Sequence, residues 1–432
     1  MNARRKFFKS LGAGAAALAQ IMKAQQTHST NQGPGRSSDS GGPVPVVKPD
    51  IADLPFTMDA GVKVFHLIAE PVKQMIVPGR TFDLWGFNGS APGPTIQTNE
   101  GDRVRIIFEN HLPEPTAIHW HGLELPIEMD GVPGIGQKAV MPGESFLYEF
   151  LLHQNGTFFY HSHMAMQEMV GMLGGFIIHP KAPYTPRADK DYLLALQEYA
   201  VLPNSTIPNS MSMEFNWLTF NGKAGPASTP LIIRQGERVR LRIVNLGMDH
   251  HPIHLHGFTF WETGHEGARQ PEAIWPRGNT TLVGVAQARD IEFVADRPGD
   301  WMLHCHLPHH MMNQMTSNVG PMTRPGQGMQ AGADKAMGNM PGMHHDTMPG
   351  MSMRELPKSA NQVPLYPQDA FMEGPMMAMD KEVDKPETYG LPAGWSGFVQ
   401  GMMTLVRVLP PDQYEKITSQ EKPSHEMHRH DN

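Results

Sequence analysis

The sequence predicts an all-β chain built from two homologous antiparallel β-sandwich domains, and three observations carry the prediction. From Ile51 onward the chain runs in short segments of alternating polar and apolar residues, the pattern of half-buried strands. Gly and Pro, 43 and 39 in number, break those segments at intervals typical of a sandwich. The pattern of residues 51–182 then returns over 188–320, an internal repeat.

Bulk properties narrow the class further. A chain of 432 residues has room for two or three domains, each with its own core. A net charge of -8 offers no basic surface for nucleic acid, and no apolar run is long enough for a membrane span. The single cysteine, Cys305, excludes internal disulfides, so cores and metals must hold the fold. The unusual counts are 32 Met and 23 His. Thioethers and imidazoles together suit copper in both oxidation states.

Taken in order, residues 1–24 read as a targeting segment. Arg4-Arg5-Lys6-Phe7-Phe8-Lys9 precedes the weakly apolar Leu11–Ala19, with small residues at Ala17 and Ala19. That resembles a twin-arginine signal, an address for folded, cofactor-loaded proteins, so a periplasmic or exported protein is expected. Residues 25–50 are polar and read as a disordered linker. In the first domain, strands are expected at Val62–Leu67, Thr81–Phe87, Asp102–Phe108, Ser145–Leu151, Gly156–His161 and Phe176–His179. In the second they are expected at Tyr192–Glu198, Leu231–Ile233, Arg238–Val244, Phe258–Glu262, Thr280–Val285, Asp290–Val294 and Gly299–His304.

The repeat aligns these two sets residue by residue. Gly101-Asp102-Arg103-Val104-Arg105 with Asn110 matches Gly236-Glu237-Arg238-Val239-Arg240 with Asn245. His119-Trp120-His121-Gly122 matches His254-Leu255-His256-Gly257 at the same offset, and Tyr160-His161-Ser162-His163 matches Leu303-His304-Cys305-His306. Residues 321–396 lack apolar periodicity; Met337, Met340, Met343, Met348, Met351 and Met353 surround His344 and His345 there. This is a Met-rich insertion, read as a loosely ordered segment. Residues 397–410 return to strand, with Gly401-Met402 matching Gly171-Met172 before the last strand of the first domain. Residues 411–432 form a polar tail, expected to be loose.

The chemistry converges on Cys305. A thiolate, two imidazoles and a weak axial thioether make a blue-copper electron-transfer site. The stretch from His304 to Met315 supplies the thiolate, one imidazole and a thioether, so a second imidazole must come from elsewhere. His304 and His306 flank Cys305, and on a strand they point to the opposite face. They could bind a different metal, joined to the first by a few covalent bonds. Four His-x-His pairs supply eight imidazoles in all: His119, His121, His161, His163, His254, His256, His304 and His306. Eight suit three coppers, one with two protein nitrogens and two with three each, leaving positions open for dioxygen and water.

On these motifs, His119-Trp-His-Gly, His161-Ser-His, His251-Pro-Ile-His-Leu-His-Gly and His304-Cys-His through His310 and Met315, the chain resembles the multicopper oxidases, and within them the two-domain laccase-like enzymes. The resemblance implies two cupredoxin-like Greek-key β-sandwiches. It implies a type 1 copper at His251, Cys305 and His310 with an axial Met, and a type 2 copper at His119 and His254. The type 3 pair would use His121, His161 and His306 on one metal, and His163, His256 and His304 on the other. That makes about four coppers per chain. In the first domain Thr116 stands where His251 does, Ser162 where Cys305 does and Gln167 where His310 does, and only Met172 remains. No type 1 copper can form there. Met315 has the family spacing for the axial ligand and a short loop to preorganise it. The repeat offers Met402 as the alternative.

Asp130, in Met129-Asp130-Gly131-Val132, resembles the family's acid beside the dioxygen site, where reduction of dioxygen consumes protons. Met311 stands where relatives often carry a second acid, just after the type 1 histidine. The reading is an oxidase that takes electrons singly from phenols, aromatic amines or Cu(I) and passes them through Cys305 to His304 and His306, where dioxygen becomes water. Each domain carries half of the cluster ligands. In the two-domain family these halves usually meet between neighbouring chains, and such head-to-tail contacts close into a ring, so a homotrimer is expected. Two other readings compete. A periplasmic copper-tolerance protein would act mainly as a cuprous oxidase or copper binder, using the Met-rich insertion to recruit Cu(I). A copper nitrite reductase would keep a cysteine where this chain has Ser162.

Overall fold

A computed structural model describes residues 42–202, 205–313 and 378–419, with the backbone of 315–317 and 370–372. The expected signal segment, the centre of the Met-rich insertion and the end of the tail, with His425, His428 and His430, lie outside these residues.

Two β-sandwiches account for the described chain. In the first, one sheet runs Phe56–Asp59, Val62–Val77, Arg103–Asn110, Ser145–Leu151, with Arg80–Phe87 also on Val62–Val77; the other runs Gly93–Asn99, Leu173–His179, Gly156–Ser162, Ile118–His121. In the second, one sheet has Lys190–Tyr199, Arg238–Asn245, Gln287–Val294 and Phe260–His265 as its main path. The other runs Leu231–Arg234, Met403–Leu409, Gly299–Cys305, His251–Leu255, Thr280–Val283. Apolar residues alternate into each interior. Val104, Ile106 and Phe108 are buried while Arg103 and Arg105 stay outside, as a one-sided strand requires.

Three expectations are corrected. The sandwiches are not purely antiparallel: Val62–Val77 pairs parallel with Arg103–Asn110, Lys190–Tyr199 with Arg238–Asn245, and Leu231–Arg234 with Met403–Leu409. Long crossovers bring these strands side by side, which hairpins cannot do. The end of the supposed linker is built into the fold. Val46–Val47 adds a strand beside Asp191 and Tyr192, and Asp50 accepts hydrogen bonds from Thr229. The polar tail begins as a helix, Pro411–Thr418, because Tyr414 and Ile417 cover Ile232 and Leu409.

The two sandwiches stack in a fixed order. Phe159, Leu173 and Ile177 of the His119–His121 sheet pack against Leu193, Ala195, Val244 and Ala288 of the Lys190–Tyr199 sheet. Buried charges tie the same seam: Arg242 donates to Asp191 at 2.7 and 2.8 Å and to Thr157 at 2.7 Å, and Thr157 donates to Asp290 at 2.8 Å. The sheet carrying His251–Leu255 and Gly299–Cys305 is therefore the far layer of the second sandwich. One more sheet-to-sheet spacing, about 10 Å, lies between it and the first sandwich.

Candidate metal centres

Three buried donors meet at one end of the second sandwich. His251 opens its strand, Cys305 closes the neighbouring strand, and His310 sits in the single turn Pro308–Met311. All three are fully buried. Cys305 Sγ lies 3.6 Å from His251 Nδ1 and 3.4 Å from His310 Nδ1, and the two Nδ1 atoms are 3.3 Å apart. Burial pushes the Cys305 thiol up to about 12 and the His310 imidazole down to about 3. A metal entering this triad meets a His310 imidazole held neutral by burial and must displace the thiol proton.

Backbone hydrogen bonds close Met402 onto the triad. Its amide donates to the His310 carbonyl at 2.9 Å, and its carbonyl accepts from the Cys305 amide at 3.0 Å. Its side chain is fully buried in the same core cluster as Cys305. Gly401 makes this closure possible: with φ of +63° and a Cβ position 2.2 Å from the His310 carbonyl oxygen, no other residue fits without rearrangement. Met315 opens a short strand that pairs with Ala370–Met372, and its side chain is outside the described residues.

The paired histidines form two further groups, one on each sandwich. The register sets His119 opposite His161 and His254 opposite His304. Outward-facing rings collect on each edge: His119, His121 and His161 on the first, and His254, His256 and His304 on the second. His121 Nδ1 lies 3.4 Å from His161 Nε2, and His256 Nε2 lies 3.0 Å from His304 Nε2. Nitrogens sharing one metal at about 2 Å sit about 3.3 Å apart in tetrahedral geometry, so these spacings fit a shared ion.

Carbonyls orient the rings. Nδ1–H of His161 donates to Ser162 and that of His304 to Cys305, at 2.9 and 2.8 Å; His119 donates to Asp130 and His254 to Asn279, at 2.7 and 2.8 Å. A carbonyl can only accept, so Nε2 of each ring is left for metal. Burial lowers His121 to about 4, and also lowers His119, His256 and His304. His163 and His306 are more exposed, with rings 5.5 Å from His119 and 5.3 Å from His254. Among the described residues, no hydrogen bond or ring contact joins the first group to the second.

Carboxylates border both kinds of site. Asp130 Oδ1 is 3.5 Å from His119 Nδ1. Three further acids escaped sequence reasoning: Glu168, 3.0 Å from His161 Nδ1; Glu198, 3.1 Å from His251 Nε2; and Asp249, 3.5 Å from His310 Nε2. No motif marks them, since each reaches its histidine only through folding. In the first sandwich the positions equivalent to the thiolate triad hold a neutral network. Ser162 Oγ donates to Gln167 at 2.7 Å and lies 3.1 Å from Thr116 Oγ1, above buried Met172.

Comparisons with known proteins agree with this geometry. Two multicopper oxidase family models match residues 72–183 and 201–322, together more than half of the chain. Copper resistance protein A of Pseudomonas syringae pv. tomato is 34% identical over 145 residues, 34% of this chain and 24% of that protein. Laccase-1 of Cryptococcus neoformans var. grubii is 38% identical over 146 residues, 33% of this chain and 22% of that protein. The chain thus spans about a quarter of the length of the curated relatives it matches. The crystal structure of blue copper oxidase from Nitrosomonas europaea superposes with a TM-score of 0.53 at 32% identity, covering 58% of this chain and 81% of that one.

Proposed function

This chain belongs to the multicopper oxidase family, and on that premise we propose that it couples one-electron oxidation of a reductant to four-electron reduction of dioxygen to water. The observation that carries the reading is a buried Cys–His–His triad joined through one strand to a half-ring of histidines. His251, Cys305 and His310 hold the type 1 copper. His119 and His254 hold type 2. His121, His161 and His306, and His163, His256 and His304, hold the type 3 pair. Copper, when bound, supplies the single-electron chemistry and the place where dioxygen is reduced. The chain's own part is to orient the rings, exclude water from the triad and join the sites through the backbone between Cys305 and its flanking histidines. Asp130 and Glu168 set carboxyl groups beside the two first-sandwich rings that they touch, placed to relay protons to the dioxygen site. Metal analysis tests the whole: about four coppers per chain with oxygen uptake is expected, and one or two coppers, or no uptake, rejects the reading.

The axial ligand in this proposal is Met402, supported by its hydrogen bonds to both Cys305 and His310. Removing a weak axial thioether raises the potential of a type 1 centre. Met402→Leu should therefore shift the potential upward and alter the blue spectrum, while Met315→Leu leaves both unchanged. The opposite pattern in a redox titration restores Met315.

Each assigned type 2 or type 3 copper draws ligands from both sandwiches, yet the two histidine groups occupy separate layers of one chain. The proposal is a homotrimer in which the first sandwich of one protomer meets the second sandwich of the next. Phenols, aromatic amines and Cu(I) are the candidate reductants. Cu(I) is favoured by one observation: the Met-rich insertion leaves and rejoins the chain between His310 and Met402. No helix among the described residues is long and apolar enough to cross a membrane. The arginine pair at the start of the chain supports export to the periplasm.

A further inference from the structure

Glu198 is the next-to-last residue of the strand Lys190–Tyr199, and its side chain is fully buried. A buried carboxylate is costly unless its oxygens find donors, and these do. Oε1 accepts from the backbone amides of Met248 and Asp249, the latter at 2.8 Å. Oε2 lies 3.1 Å from His251 Nε2, so that nitrogen carries the proton and donates. The opposite nitrogen, Nδ1, faces Cys305 and His310. Among the described residues, the His251 ring is the side-chain donor to this carboxylate, and no Arg or Lys shares it.

Two independent features mark the contact as built. Gly247 packs against the carboxylate so closely that a Cβ there would lie 1.8 Å from Oε2. The internal repeat supplies a comparison within the same molecule. Strand register sets Ala69 opposite Asn110 and Leu196 opposite Asn245, and those asparagines are repeat equivalents. Glu198 therefore corresponds to Pro71. The sandwich that lost the thiolate triad has no carboxylate at this position; the sandwich that kept the triad has one, aimed at it.

We propose that Glu198 is a positioning residue that holds His251 with Nδ1 toward the type 1 copper and, as a buried anion one imidazole away, lowers the reduction potential of that centre. The proposal rests on the type 1 reading of His251, Cys305 and His310. Both effects have one sign. A carboxylate accepting from the distal N–H makes the imidazole a stronger donor, and a nearby negative charge stabilises the more positive, oxidised state in a low-dielectric interior. Glu198 thereby sets which reductants can deliver an electron.

The test is a redox titration of the blue absorption in the copper-loaded full chain. Glu198→Gln should keep the blue band and titrate at a higher potential than the wild type. An unchanged potential at unchanged copper content overturns the proposal while leaving the type 1 reading intact. Should Glu198→Gln fail to retain the copper, Gly247→Ala decides, since its Cβ pushes the carboxylate off His251 without removing the charge. A raised potential or an altered type 1 EPR signal in that variant supports the role; neither change overturns it. A wild-type chain with no blue band would instead reject the type 1 reading itself.

Discussion

Cys305→Ser should abolish the blue absorption and lower copper content by one ion per chain, with oxygen uptake falling more than about a hundredfold, beyond what loss of a mere ligand-orienting partner costs. The sulfur is the one soft anionic donor within reach of His251 and His310. A hydroxyl in its place stays protonated at neutral pH and does not form the charge-transfer bond. The protein itself should survive. The first sandwich already carries serine at the equivalent position, hydrogen-bonded to Gln167 and near Thr116, and a satisfied buried hydroxyl costs only about 1 kcal/mol. Metal analysis, absorbance and thermal melting of the copper-free chain separate loss of the site from loss of the fold. Retained blue colour would refute the assignment.

Mixing two inactive variants should restore oxygen uptake. One carries His119→Ala and His161→Ala, the other His254→Ala and His256→Ala, so each lacks one half-ring and keeps Cys305. If the cluster forms between protomers, random mixed rings regain about a quarter of the wild-type rate, because one junction in four pairs two intact halves. Unfolding and reassembling the mixture gives time for exchange, and each variant alone serves as the blank. No recovery after verified exchange would put the cluster within single chains. The geometry favours recovery, because the second half-ring lies on the layer of its sandwich that faces away from the first.

The motifs made much of this legible in advance. Two His-x-His pairs per repeat fell on equivalent strand positions, and the register His119–His161 and His254–His304 repeats between the sandwiches. Alternation located most strands within a few residues, because each buries one face only. Three features were hidden for definite reasons. The parallel pairings depend on crossovers that leave no local pattern. Val46–Val47 is too short to show alternation and becomes a strand only by adding to the edge at Asp191–Tyr192. Glu198 follows the apolar run Leu193 to Leu196 after one glutamine, and acquires meaning only when His251 folds beside it. The axial position was also read by loop length, favouring Met315. The backbone hydrogen bonds that Met402 donates to His310 and accepts from Cys305 span the insertion and support proposing the more distant residue.

Those same two hydrogen bonds tie His310 and Cys305, before the insertion, to Met402, after it. A loop whose ends are already joined pays little for its length: by chain-entropy scaling, each doubling costs only about 0.6 kcal/mol. The intervening segment can thus be lengthened, shortened or exchanged at little cost in chain entropy. It is a socket at which descent can change what approaches the metal while leaving the folding problem already solved.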